Sequence, residues 1–78
     1  MSTVTIQYVE LDDDNVPHVT RHGVNLTEIE TLLLTATQVA RNKRSGASDY
    51  AAVGNGIRVN FIYRAKDHTA RPISAWRL

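Results

Sequence analysis

The chain has 78 residues, with nine Lys/Arg, eight Asp/Glu, three His and no Cys, for a formal charge of +1. This length predicts a single domain with a small core, since such a chain buries only roughly 60–65% of the surface its unfolded form exposes. The absence of cysteine excludes disulfides, thiolate zinc sites and cysteine nucleophiles, and no apolar run approaches the ~20 residues of a membrane span. No charged n-region precedes an apolar stretch at the start, so the expectation is a soluble cytoplasmic protein. The average charge conceals a split. Residues 1–40 hold one basic and six acidic side chains, and residues 41–78 hold eight basic and two acidic. Such a split predicts a polyanion partner for the basic half and a cationic partner for the acidic one.

Residues 3–11 alternate and are rich in Val, Ile, Thr and Tyr, as a strand would be, and Asp12-Asp13-Asp14-Asn15 ends it. Asp14 or Asn15 can cap a short helix over 16–22, with Pro17 in its first turn and Gly23 closing it in the left-handed conformation. Asn25 followed by Glu28 has the form of a capping box, and Leu26, Ile29, Leu32 and Leu33 fall on one stripe of a second helix ending near residue 35. From there the pattern is β, with candidate strands over 37–43, 50–53, 57–64 and 71–76. Gly54-Asn55-Gly56 supplies a tight hairpin turn, and Lys66-Asp67-His68 a second turn. The fold class expected is α+β, with two short helices on one face of a mainly antiparallel sheet.

Period 2 over 57–64 places Ile57, Val59, Phe61 and Tyr63 towards the helices and Arg58, Asn60, Ile62 and Arg64 on the opposite face. There Arg41 or Arg44, and Arg71 or Arg77, from flanking strands can join Arg58 and Arg64. Lys43 belongs to the same basic segment. A concave sheet face lined with guanidinium groups would cradle phosphates; a merely solvated charged face is the plainer reading. Parity puts Trp76 with Pro72 and Ser74, where it either closes the core or stacks a nucleic-acid base. His18 and His22 are four apart, but no third metal ligand is near. Asp12-Asp13-Asp14 reads as turn and cap, and no metal or cofactor is expected.

Arg21-His22-Gly23-Val24, the following helix with its Glu-Ile pair, Tyr50-Ala51-Ala52-Val53-Gly54, the strand from Arg58-Val59 to Tyr63-Arg64, and Arg71-Pro72-Ile73-Ser74-Ala75 together resemble the BrnT-like toxins. The resemblance runs in order from about residue 12 to residue 75. It implies one RelE-like domain over 1–78 that acts as a metal-independent endoribonuclease and slows translation. The implied partners are an RNA substrate and an inhibitory ribbon-helix-helix antitoxin, with a homodimer or a heterotetramer as the assembly. An idle module that binds RNA or a protein without cleaving is the alternative. Two of the family's basic positions fall on Arg21 and Arg58. A third falls on Trp76, with Arg77 one residue later and on the other face by parity. Arg58 and Arg64 are the expected phosphate clamp, completed by Arg21 or Arg77, with His22 as the base; Arg41, Lys43, Arg44, Arg71 and Trp76 are expected to contact RNA.

Overall fold

The structure is a computed structural model and describes residues 2–36, 38–41 and 49–78. Its elements are β1 (Ser2–Thr3), β2 (Tyr8–Val9), α1 (Val16–Thr20), α2 (Leu26–Thr35), β3 (Gln38–Arg41), β4 (Tyr50–Gly54), β5 (Ile57–Arg64) and β6 (Thr69–Arg77). The sheet order is β1-β3-β4-β5-β6-β2, antiparallel throughout except where β2 runs parallel to β6. The α+β class and mainly antiparallel sheet are as expected. Among the described residues no helix is long and apolar enough to cross a membrane.

The predicted strand over 3–11 is instead two short pairings joined by residues 4–7, and this split governs the shape of the sheet. β1 pairs with β3 at one edge while β2 pairs with β6 at the other. Five strand spacings of about 4.8 Å make roughly 24 Å along a flat sheet. The five residue steps from Thr3 to Tyr8 reach at most about 18 Å. The sheet must therefore curl until its two edges come within reach of one extended segment. That segment passes on the helix side, because Val4 and Ile6 are buried in the core and the Tyr63 hydroxyl donates to the Thr5 carbonyl (2.6 Å). The helix-covered face is thus concave, and the opposite face is convex. This corrects the expectation of a concave basic cradle.

Local chemistry accounts for the remaining elements. The Asn25 side chain accepts from the Glu28 N–H (2.8 Å), and the Glu28 carboxylate accepts from the Asn25 N–H (3.3 Å), completing the capping box that starts α2. Ile29, Leu32 and Leu33 turn inward to meet Ile57, Val59 and Phe61 from alternate positions of β5. Phe61 is fully buried, and burial of a side chain of this kind contributes roughly 1.5–3 kcal/mol. Asn55 (φ 54°) and Gly56 (φ 77°) both take positive φ, which gives the two-residue β4–β5 turn the twist its strands need. Gly54 serves packing instead, since a Cβ there would lie 2.9 Å from Leu32 Cδ1.

Two details depart from the sequence reading. The strand over 71–76 begins two residues earlier and carries a bulge: Asn60 faces Ser74 but Phe61 faces Pro72, leaving Ile73 as the extra residue. Pro72 therefore turns inward beside Ala75, while Arg71 joins Ser74 and Trp76 outside. Asn15 sits at the start of α1, but its side chain makes no cap. It is buried instead, donating to the carbonyls of Glu10 (2.8 Å) and Pro72 (3.0 Å) and accepting from the Asp12 N–H (2.8 Å). It thus ties the turn before α1 to the bulge in β6.

Removing this amide leaves buried backbone groups without partners, at about 1–3 kcal/mol. Asn15→Ala is expected to lower the urea unfolding midpoint accordingly. Asn15→Asp should be at least as costly at neutral pH, because a carboxylate would face the two carbonyl oxygens. Equal midpoints for wild type and both variants would show that the amide is not a tie.

Candidate nucleic-acid interface

Strand alternation puts the predicted basic residues of β5 on the convex face, and the register of β6 decides their neighbours. Residues directly opposite in an antiparallel pair share a face. Arg58 lies opposite Trp76, Asn60 opposite Ser74, Ile62 opposite Arg71 and Arg64 opposite Thr69. The Arg58 guanidinium lies over the indole, 5.7 Å from its ring centroid, a cation–π distance. Arg58 Nε donates to Asn60 Oδ1 (3.3 Å), and Asn60 Nδ2 donates to Ser74 Oγ (3.1 Å). Exposed Val53 flanks Arg58 across the β4–β5 pair.

At the far end of this ribbon the arginines meet carboxylates. Arg64 binds Glu10 through both terminal nitrogens (2.8 and 3.3 Å) and approaches Asp67 (3.7 Å). Arg71 donates to Glu10 (3.0 Å) and makes a two-point contact with Asp12 (2.6 and 3.3 Å). The result is an alternating ladder, Asp67-Arg64-Glu10-Arg71-Asp12, which joins the β2 end to β5 and β6. Asp12 also accepts from the N–H groups of Asp14 and Asn15, so its turn role is as expected. Its hydrogen bonds from Arg71, more than any other influence, hold the Asp12 carboxyl down to about 2; Arg64 foremost, then Arg71, lowers that of Glu10.

Arg58 and Arg64 are six residues apart on one strand, about 20 Å at the usual rise. On a convex face their side chains diverge, so they do not meet at one phosphate as the sequence reading expected. Arg77 lies on the helix side, opposite Ile57. It forms a two-point contact with Glu28 (2.9 and 2.7 Å) and donates to the Gly23 carbonyl (3.1 Å). This ties the Arg21-His22-Gly23 turn, whose Gly23 has φ 83°, to the end of β6 next to Trp76. Arg21 and His22 are exposed on that turn. One end of the molecule therefore carries Arg21, His22, Arg58, Trp76 and Arg77, while Arg64 and Arg71 belong to the ladder.

The other expected residues are dispersed. Arg41 lies opposite Tyr50 in the row that faces the helices, its guanidinium 5.9 Å from the Tyr50 ring centroid; it does not join the convex face. Lys43 and Arg44 lie outside the described residues. His18 is exposed on α1, and among the described residues no group of three or more His, Asp or Glu gathers as metal ligands would. Sequence alternation puts Asn60 on the same face as Arg58 without a role; its link to Ser74 becomes visible only through the β5–β6 register. No family model, curated protein or solved structure matches the chain.

The ladder makes a pH prediction with a definite sign. Because Asp12 and Glu10 bind protons less readily when folded, their contribution is complete above the ordinary carboxylate range. For Asp12 it is lost as the pH falls from about 4 through about 2. Urea unfolding between pH 2 and pH 5 should show stability falling with acid, and Asp12→Asn should flatten that dependence. An unchanged slope in the variant would show that Arg71 does not hold Asp12 in solution.

Proposed function

We propose that the chain is the toxin component of a bacterial type II toxin–antitoxin pair, a RelE-like endoribonuclease that acts on RNA at the Arg58–Trp76 end of the β5–β6 ribbon. The reading combines the resemblance to BrnT-like toxins with one structural observation. The Arg77 contacts with Gly23 and Glu28 bring the Arg21-His22 turn to the end of the ribbon that carries Arg58. These are the positions where the resemblance calls for basic groups, and they lie far apart in sequence.

In this mechanism a ribose 2′-oxygen attacks the adjacent phosphorus to form a 2′,3′-cyclic phosphate, and the bond to the 5′-oxygen breaks as that oxygen takes a proton from water. His22, exposed on the turn, takes the 2′-proton as general base. Arg58, on the convex face, meets the charge that builds on the phosphoryl oxygens, and Arg21, on the turn at the same end, holds a neighbouring phosphate. Arg77 is a positioning residue that fixes the turn. The exposed acidic groups Asp13, Asp14 and Glu30 offer charge complementarity to a basic antitoxin segment. Binding of RNA or a protein partner without cleavage is the second reading. It is favoured by the engagement of Arg64 and Arg71 with carboxylates, which leaves fewer cations for a phosphoryl transition state.

Induced expression should stop growth with RNA fragmentation, and co-expression of a neighbouring ribbon-helix-helix gene should restore growth. Purified Arg58→Ala should cleave RNA about 100-fold more slowly. Arg64→Ala should lose stability but keep its rate per folded molecule. RNA bound by folded protein without fragmentation would select the second reading, and unimpaired growth together with no binding of RNA or of a protein partner would reject both.

A further inference from the structure

Trp76, Arg58, Asn60 and Ser74 form a chain of contacts on the convex face, and it holds more than a cation. Asn60 uses one oxygen lone pair on Arg58 Nε and one amide hydrogen on Ser74 Oγ. The amide is thereby fixed in orientation from both sides. One amide hydrogen, one oxygen lone pair and the Ser74 hydroxyl proton remain as a set of donors and an acceptor. Ser74 and Trp76 are two residues apart on β6, about 7 Å along the strand. A planar ring lying on the indole can span that distance and bring its edge to the amide.

Trp76 is half-buried, so part of the indole is exposed. β2 pairs with β6 only at Thr69 and Ala70. Among the described residues no strand pairs with β6 beyond that point on this side. The indole thus has a guanidinium on its β5 side and, among the described residues, no strand paired beside it on the other.

We propose that this cluster is a recognition subsite for one unstacked nucleobase of single-stranded RNA. Trp76 stacks the base, Arg58 supports the indole and reaches the adjoining phosphate, and the oriented Asn60 amide with Ser74 reads the base edge. The subsite rests on the RNA reading above, whether or not cleavage follows. It requires an unpaired base, because the edge that meets Asn60 is occupied or buried in a duplex.

Trp76 is the single tryptophan of the chain, so stacking is read directly from its fluorescence. Nine-nucleotide oligo(A), oligo(C) and oligo(U), and an RNA duplex of the same length, are titrated while binding is followed independently by anisotropy of an end-labelled oligomer. The expected result is quenching by at least one single-stranded oligomer, differences among the three, and little quenching by the duplex. Trp76→Ala should weaken single-strand binding about tenfold, with Trp76→Phe recovering part of the loss. Asn60→Ala should bring the three oligomers to similar affinities while quenching persists. Salt-sensitive RNA binding without quenching, or equal quenching by duplex, would overturn the subsite and leave the RNA reading standing. No binding of any RNA by folded protein would overturn both.

Discussion

The reach of a short piece of chain fixes the shape of this molecule. Residues 2–9 pair with β3 at one end and β6 at the other, and the connection is shorter than the flat sheet it has to bridge. Curvature follows from that inequality. It brings Val4 and Ile6 into the same cluster as Phe61, Ile29 and Val19 and gives two short helices a hollow to fill. It also turns the outer face convex, so that basic side chains spread apart there. A sheet of the same sequence pattern lying flat would have presented them as a row.

Electrostatics then divides the outer ribbon into two regions with different duties. The acidic first half of the chain supplies Glu10, Asp12 and Glu28, and the basic second half supplies Arg71, Arg64 and Arg77. Part of the charge separation visible along the sequence is therefore a set of internal partners. Isolated surface pairs contribute little, but here each arginine serves two carboxylates or a carboxylate and a carbonyl, so one ordered side chain supports several bonds. The opposite end of the ribbon carries Arg58, Trp76 and, through Arg77, the Arg21-His22 turn.

Much of the fold was legible because its signals are local. The alternation of Ile57 to Arg64, the Asn25–Glu28 box and the Asn55-Gly56 turn each state their geometry within a few residues. The site was less legible because it depends on register. One bulged residue, Ile73, exchanges the faces of Pro72 and Arg71, and no periodic count across β6 anticipates it. The Glu10, Asp12 and Glu28 partners of Arg64, Arg71 and Arg77 lie about fifty to sixty positions away in sequence, beyond any local pattern. Position before a proline-containing helix makes Asp14 or Asn15 a candidate cap, whereas tertiary contact with Pro72 claims the Asn15 side chain.

The bridging segment also bears on the order in which the chain can assemble. The β4–β5 hairpin closes over two residues, at small entropic cost, while the β2–β6 pairing joins Tyr8 to Thr69 from opposite ends of the chain. Loop-closure entropy favours the hairpin and its extension to β6 as early events, with the outer pairings following once there is an edge to receive them. The curl is then a late acquisition. Since it depends on eight residues near the start of the chain engaging two edges at once, the final step of folding is a closure that neither edge can complete alone.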